Sequence, residues 1–321
     1  MTTSIKLASR GSTLALTQSR MISAALEKAH RGLRVEIVEI KTSGDVKLGQ
    51  SLQAIGGKGA FTKELEDALL EKRADLAVHS LKDLPTTLPE GLTVGCTPPR
   101  EDVADVLLLR EHQPLNELTE DPFHLLREKA VLGSSSLRRK AQALMHRADL
   151  KIIEFRGNVD TRLRKLEEGK ADACLLALAG LKRLGLMDSL DKRFGVFILP
   201  PDKWLPAVSQ GCLGIECRAD DKRTLELLAP LHHAETFACV TAERAFLHAL
   251  GAGCTAPVGA HAVVAKGQLT LKGAMFAEDG SGARRGQASG PSKDAALVGE
   301  KAAKQVQASG IGSGKQDKNK S

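Results

Sequence analysis

Cys254 is the residue whose surroundings point most directly to chemistry. It follows a helix-like stretch and the small residues at 251–253, which leave the thiol with almost no steric cover. A structural cysteine is normally buried among apolar neighbours and inert. The loop therefore predicts a sulfur that holds a ligand or attacks one. A nucleophilic thiol would need a base beside it, and the candidates close in sequence are His248 and His261.

Arginine and small hydroxyl residues follow three predicted strands. In each case they stand where the strand ends and a helix begins, a position at which backbone N–H groups and hydroxyls bind anions. Guanidinium groups add forked donors that match carboxylates, and ligands of open α/β sheets collect outside the carboxyl ends of strands. The residues are Arg10 and Ser12 in the first loop, Ser134, Ser135, Arg138 and Arg139 in the second, and Arg156 and Arg162 in the third. They predict one shared cleft for an acidic ligand, although each loop alone is also compatible with an ordinary helix cap and solvated arginines.

A carboxylate stands beside a lysine in the run from His79 to Pro85. Asp83 follows a predicted buried strand, and the neighbouring Lys82 favours its ionised form. A surface Lys–Asp pair is the alternative interpretation. His79, at the end of the strand, is predicted to be a structural hydrogen-bonding residue rather than a base.

A glycine cluster, Gly56-Gly57-Lys58-Gly59, precedes a predicted helix. It lacks the spacing of a phosphate-binding P-loop. The cluster predicts a mobile basic flap over the cleft, and on its own it is a weak signal.

The overall charge agrees with an acidic small-molecule ligand. Among 321 residues, 46 Lys and Arg exceed 39 Asp and Glu, for a net charge of +7. The arginines occur in short groups, with no continuous basic helix and no aromatic interleaving of the kind that single-strand nucleic-acid binders use. We therefore expect no nucleic-acid partner.

The cysteines and the hydropathy pattern indicate a soluble cytoplasmic protein. The six cysteines form no CxxC pair and no His/Cys metal spacing, so we expect reduced thiols and no metal. The first residues have no apolar signal core, and no apolar run reaches the roughly 18 residues that cross a bilayer. We expect no membrane association.

Strand and helix signals alternate in two series of similar length, which predicts an α/β protein with two similar lobes. The first series fills the first hundred residues, with Ser12 as the expected N-cap of its first helix, and the second begins near Val103. A hinge is predicted at 98–102 and a return crossing at 200–214. From about Thr236 the pattern becomes a smaller α+β module, and the tail 309–321 is predicted to be disordered.

Together these runs closely resemble the porphobilinogen deaminase family, also called the hydroxymethylbilane synthases. The resemblance covers nearly the whole chain, and several long motifs in the right order make it specific. The motifs are Gly56-Gly57-Lys58-Gly59, His79-Ser80-Leu81-Lys82-Asp83, Ser134-Ser135-Ser136-Leu137-Arg138-Arg139, Arg156-Gly157-Asn158, Gln210-Gly211 with Glu216-Cys217-Arg218, and Gly253-Cys254.

The resemblance implies an architecture and an activity. Two lobes like those of periplasmic binding proteins, 1–99 with 209–229 and 104–205, would be followed by a smaller α+β domain at 234–308. The family condenses four porphobilinogens head to tail, releases ammonia each time, and frees the linear tetrapyrrole by hydrolysis. A monomeric transferase of haem and chlorophyll biosynthesis is implied.

The resemblance also implies residue roles. A dipyrromethane cofactor would be held by a thioether to Cys254, and Asp83 matches the catalytic aspartate. The other cofactor-binding positions are Lys82, Asp83, Ser134, Ser135, Arg138, Arg139 and Arg156, and the substrate-binding positions are Arg10, Ser12, Arg156 and Arg162. Loss of ammonia leaves a cationic azafulvene, which a fixed carboxylate would stabilise.

The chain departs from the family pattern at a few positions. Ala54 stands where relatives often have lysine, Ala252 where a second glycine is usual, and Ser209 where glycine is frequent. None of these removes the aspartate, the cysteine or the arginines. Two rival interpretations are a non-enzymatic two-lobed protein that binds small acidic ligands, which has no use for Cys254, and a thiol enzyme.

Overall fold

The computed structural model describes residues 3–42, 62–111, 121–252, 256–309 and 312–313. The first part of the chain contains β1 (Thr3–Ser9), α1 (Thr13–Ala29), β2 (Leu33–Glu39), α2 (Lys63–Leu70), β3 (Leu76–Ser80) and β4 (Leu92–Cys96). The second contains β5 (Asp105–Leu109), β6 (Val131–Gly133), α3 (Leu137–His146), β7 (Lys151–Ile153), α4 (Val159–Glu167), β8 (Ala173–Ala177), α5 (Leu178–Arg183), α6 (Met187–Leu190) and β9 (Gly195–Leu199). The third contains β10 (Leu213–Arg218), α7 (Lys222–Leu228), α8 (Ala234–Ala249), β11 (Val258–Ala265), β12 (Gln268–Phe276), β13 (Gly282–Pro291), α9 (Ala295–Ala308) and β14 (Gly312–Ser313).

Side-chain caps begin the helices that follow the three loops predicted to bind an acidic ligand. Ser12 accepts a hydrogen bond from the amide of Ala15, which confirms its prediction as the N-cap of α1. Ser136 and Asn158 cap α3 and α4 in the same way. Because each cap bonds an otherwise unpaired amide of the first turn, the helix start is fixed where the strand ends.

The first two sheets have equivalent topologies, with three parallel strands followed by one antiparallel strand that enters from the other lobe. This equivalence confirms the prediction of two similar α/β lobes. The sheets run β2-β1-β3-β10-β4 and β7-β6-β8-β5-β9. In the first sheet β1 is parallel to β2 and β3, while β10 is antiparallel to β3 and β4. In the second sheet β6 is parallel to β7 and β8, while β5 is antiparallel to β8 and β9.

The antiparallel strand of each lobe is the strand that follows a crossing between the lobes. The chain passes through 97–104 into β5 of the second lobe and returns through 200–212 into β10 of the first. These are the segments in which the sequence predicts a hinge and a return crossing. These two crossings therefore join the lobes, and both lie beside the strand ends that carry the loops predicted to bind a ligand.

The third domain is an antiparallel sheet, β11-β12-β13-β14, against which α8 and α9 pack. Its core contains Phe246 from α8, Leu271 from β12 and Val306 from α9, all fully buried. Strand β13 was not predicted, because its sequence is rich in Gly, Ala and Arg and lacks a clear alternation. Within the tail for which disorder is predicted, Gly312 and Ser313 pair with β13, and residues 310–311 and 314–321 lie outside the described part of the chain.

Glu243 of α8 lies fully buried where the two crossings meet the third domain. Its two carboxylate oxygens accept from both Nη atoms of Arg100 at 2.8 and 2.9 Å. The amides of Ser209 and Ala262 donate to the same carboxylate at 2.7 and 2.9 Å. Ser209 has a φ of 62°, a conformation that favours glycine. This explains physically why glycine would be the easier residue at this position.

Candidate active site

Asp83 projects from a short turn that is anchored on both sides. The turn, a single 3-10 turn at Leu81–Asp83, follows β3 directly. Leu81 and Leu84 are each 1% exposed and pack with Cys212, whose carbonyl accepts from the amide of Leu81 at 3.0 Å. Asp83, between the two buried leucines, is exposed. The alternation of apolar and charged residues therefore presents the carboxylate at the edge of the first sheet.

A small cavity of about 80 Å³ brings Asp83 together with the first predicted loop. Arg10, Ser12, Gln18 and Ser80 line it with Asp83. Gln18, which was not predicted, donates from Nε2 to Ser80 Oγ at 3.0 Å. Its only sequence signal is a polar side chain one and a half turns into α1, on the face that becomes buried.

Lys82 lies among cations from the second lobe. Its Nζ donates to Gln210 Oε1 at 3.3 Å. Burial lowers the pKa of Lys82 to about 8; the charge of Asp83 opposes this, and the charges of Arg139 and Arg138 add to it. The carboxyl ends of the two sheets therefore face each other, with Asp83 and Lys82 on one side and the arginines of α3 on the other.

Arg138 and Arg139 are buried, and they pair with an acid that was not predicted. Asp105 at the start of β5 accepts from Arg138 Nη1 at 2.8 Å and from Arg139 Nη2 at 2.6 Å. Trp204 Nε1 and Gln210 Nε2 each donate to it at 2.8 Å. Burial favours the neutral acid, but the two guanidiniums outweigh it and hold the pKa of Asp105 well below its usual range.

The pairing with Asp105 does not use every donor of the two arginines. Within the described residues, Nε of Arg138 and Nε of Arg139 are buried and have no hydrogen-bond partner. An unmade hydrogen bond of a buried charged group costs free energy. Two such donors at the carboxyl end of a sheet fit an acceptor supplied by a ligand. The prediction that these arginines bind a ligand stays a prediction, with Asp105 added as their protein partner.

Arg162 on α4 approaches the same cleft. Its Nε donates to the carbonyl of Gly157 at 2.8 Å. Burial and the nearby Arg139 and Arg156 lower the pKa of Arg162, while Asp83 raises it. Asp83 of the first lobe therefore lies close enough to interact electrostatically with Arg162 of the second. Gly157 has a φ of 117°, which a side chain would strain.

The serines and Arg156 shape the loops around this cleft. Ser134 is buried, and its Oγ accepts from the amide two residues further along the chain. Ser135 is exposed, and its Oγ accepts from the amide of Phe155 at 2.9 Å, which joins the second and third loops. Arg156 is half-buried and pairs through Nε with Glu154 at 2.5 Å. The structure therefore brings all three predicted loops to facing sheet ends.

His79 confirms its predicted structural role. It is 6% exposed, and its Nε2 lies 2.9 Å from Oε2 of the fully buried Glu216 on β10. The contact joins two neighbouring strands beneath the Asp83 turn.

Several predicted residues lie outside the described part of the chain. They are Gly56, Gly57, Lys58 and Gly59, together with Ala54 and Cys254. The other five cysteines, Cys96, Cys174, Cys212, Cys217 and Cys239, are free and buried. Burial raises their pKa values to about 12 for the first three and to about 11 for the last two. Thiols in such surroundings are inert at neutral pH.

Within the described residues, no helix is both long and apolar enough for a membrane span. No group of three or more His, Cys, Asp or Glu side chains in the same residues could hold a metal ion.

The fold and the site together define a two-lobed α/β protein with a cation-lined cleft and a third domain, in which two helices pack on an antiparallel sheet. Two family models match the chain: "Porphobilinogen deaminase, dipyromethane cofactor binding domain" over residues 5–226, and "Porphobilinogen deaminase, C-terminal domain" over residues 237–308. The chain therefore belongs to the porphobilinogen deaminase family.

Curated relatives agree with the family models. The porphobilinogen deaminase of Syntrophotalea carbinolica is 46% identical over 295 residues, which cover 92% of this chain and 90% of the relative. The porphobilinogen deaminase of Paracoccus denitrificans is 46% identical over 305 residues, which cover 94% and 93%. The family activity forms hydroxymethylbilane in tetrapyrrole biosynthesis, and the chain contains the family's dipyrromethane-binding domain. The predicted fold class, enzyme and cofactor are confirmed, and the non-enzymatic alternative is wrong.

Solved structures share parts of the fold at low similarity. The effector-binding domain of BenM with benzoate is 19% identical, with a TM-score of 0.41, and covers 71% of this chain and 91% of its own. The VFT2 domain of BvgS from Bordetella pertussis is 15% identical, with a TM-score of 0.42, and covers 70% and 84%. Likenesses of this degree are too distant to bear on function.

Proposed function

We propose that porphobilinogen units are joined in the cleft between the two lobes, with Asp83 as the catalytic carboxylate. The observation that carries this proposal is the position of Asp83, exposed on an anchored turn and within electrostatic reach of Lys82 and of Arg162 on the opposite lobe. A porphobilinogen unit brings two carboxylates, which such a cation-rich cleft neutralises.

Asp83 acts on the charge that develops when porphobilinogen loses ammonia. The resulting azafulvene is cationic, and a fixed carboxylate stabilises this charge as it forms. The same carboxylate can take up a proton during the condensation. Arg10, Ser12, Arg156 and Arg162 hold the acetate and propionate groups of the incoming substrate.

The residues of the second lobe fit the dipyrromethane. The buried Nε donors of Arg138 and Arg139 lack protein partners within the described residues, and the cofactor's carboxylates are acceptors of the required kind. Lys82, Ser134, Ser135 and Arg156 complete the set, and Cys254 forms the thioether. When bound, the cofactor supplies the pyrrole end from which the product chain grows.

The assignment of the thioether to Cys254 is supported by the state of the other cysteines. All five are buried, with pKa values raised to about 11 or 12, so none is suited to attachment. Free thiols also agree with a cytoplasmic, reducing location.

We further propose a monomer with domain limits of 1–99 with 209–229, 104–205 and 234–308.

The intact mass of the purified protein tests the cofactor proposal. We expect the mass to exceed that of the sequence by one dipyrromethane unit, and the protein to colour with an aldehyde reagent for pyrroles. The same preparation is expected to convert porphobilinogen to hydroxymethylbilane. An unmodified mass in an active preparation would refute covalent attachment.

Lys82 is expected to impose a pH dependence on substrate binding. Burial lowers its pKa to about 8, and a bound cofactor carboxylate raises it from there. The ammonium is therefore lost as the pH rises above that value, and the contact with a substrate or cofactor carboxylate weakens. We expect kcat/KM to fall above pH 8, with a slope that approaches about tenfold per pH unit if the cation is required. Arginine stays protonated throughout this range.

The matched variant for this prediction is Lys82→Arg. Substrate ionisation is the same for both proteins, so the difference between their profiles of kcat/KM against pH isolates the side chain. The variant is expected to lose the fall above pH 8. Identical profiles would show that Lys82 does not contribute its charge.

A further inference from the structure

Arg244 on α8 contacts the turn that carries Asp83. Its Nη1 donates to the carbonyl of Leu84 at 3.0 Å, and its Nη2 donates to the carbonyl of Pro85 at 2.5 Å. These are the first and second carbonyls after Asp83 in the chain. One rigid guanidinium fork therefore holds two consecutive peptide groups next to the exposed carboxylate.

A second residue of α8 packs on the same turn. Val240 lies one helical turn before Arg244, hence on the same face, and is 2% exposed. It belongs to one apolar cluster with Leu81 and Leu84, the two leucines that flank Lys82 and Asp83. The apolar packing of Val240 and the two hydrogen bonds from Arg244 therefore hold the turn against one face of α8.

The helix that makes these contacts is itself held in place. Glu243, the neighbour of Arg244, forms the buried pair with Arg100 and accepts from the amides of Ser209 and Ala262. These partners belong to both crossings and to β11. A shift of α8 relative to the lobes would break them, and leaving a buried charge unpaired is strongly unfavourable. The helix is therefore a rigid reference for the Asp83 turn.

The same helix precedes Cys254 in the chain. It ends at Ala249, and Cys254 follows five residues later in the sequence. Asp83 and Cys254 are far apart in the sequence and fall in the ranges of different family models. Helix α8 contacts the turn of Asp83 and precedes Cys254 in the chain.

We propose that Arg244 is a positioning residue, which keeps the Asp83 carboxylate at a fixed position relative to the domain that carries the cofactor. This inference rests on the roles proposed above for Asp83 and Cys254. Arg244 acts through the carbonyls of Leu84 and Pro85. Loss of Arg244 would displace the carboxylate from the reacting groups, and a displacement of about 1 Å can cost on the order of 100-fold in rate.

A groove beside Arg244 makes the proposal testable by chemical rescue. It has a volume of about 480 Å³, and Thr86, His248 and Lys304 line it together with Arg244. Truncation of Arg244 would enlarge this groove, and a free guanidinium ion could then reach the two carbonyls. The ion carries the same planar donors as the lost side chain.

The experiment compares Arg244→Ala with Lys304→Ala, which removes another cation from the same groove. We expect Arg244→Ala to keep the cofactor mass and to lose roughly 10- to 100-fold in kcat with KM changed less than about twofold. Guanidinium chloride below denaturing concentrations should restore part of kcat to this variant, relative to sodium chloride at equal ionic strength. It should not activate the unsubstituted protein or Lys304→Ala.

Each other outcome overturns the positioning role. An unchanged kcat in Arg244→Ala, a kcat that guanidinium does not raise, or a loss of the cofactor mass would do so. If Arg244→Ala does not fold, Arg244→Lys is used: it keeps one donor group for one carbonyl, and an undiminished kcat in this variant would count against the fork. Asp83→Ala separates this inference from the proposed function, because its full activity would refute the role of Asp83 whatever Arg244 does.

Discussion

Replacement of Asp83 by alanine is expected to abolish turnover almost completely while leaving the cofactor attached. The side chain is exposed on a turn whose anchors are the buried Leu81 and Leu84, so its removal should not disturb the fold. Loss of a group that stabilises charge in the transition state costs about 100- to 1,000-fold, and loss of a general acid or base costs a similar factor. Since Asp83 serves both purposes in the proposal, we expect a loss of about 1,000-fold or more in kcat.

The measurement is the rate of hydroxymethylbilane formation, with the intact mass recorded for the same sample. Asp83→Asn preserves the shape without the charge and should be nearly as inactive. The matched control is Asp188→Ala, which removes an exposed aspartate from α6 and should leave the rate unchanged. A rate within a few-fold of the original in Asp83→Ala would contradict the catalytic assignment.

Replacement of Cys254 by serine is expected to prevent cofactor attachment and, with it, all activity. A hydroxyl is not deprotonated at neutral pH and does not replace a thiolate as a nucleophile. The purified variant should therefore have the mass of its own sequence and give no colour with the pyrrole reagent. Porphobilinogen consumption should fall to the limit of detection.

The control for this variant is another cysteine of the same domain. Cys239 lies on α8, is 8% exposed, and has a pKa raised to about 11 by burial, so it is suited to packing and not to attachment. Cys239→Ala should retain the added mass and the activity. A dipyrromethane mass in Cys254→Ser would place the thioether on a different residue.

Local patterns predicted much of the fold. The cap at Ser12 and the apolar strands of both lobes depend on residues within a few positions of each other, so they can be predicted along the chain. Strand β13 escaped prediction because its glycines and arginines carry no alternation, and it is a strand through its pairing with β12.

The family could be recognised from the sequence alone, which also predicts the reactive groups and the loops that carry them. Asp83, Cys254 and the arginines are recognisable by residue type and local order, since motifs are local. The tertiary structure decided the partners: Asp105 pairs with Arg138 and Arg139, and Arg244 holds carbonyls that lie 160 and 159 residues away in the chain. Such contacts depend on the two crossings, which insert β5 and β10 antiparallel into their sheets and bring α8 against the first lobe. Because nothing in the neighbouring residues specifies a partner at that separation, only the folded chain identifies it.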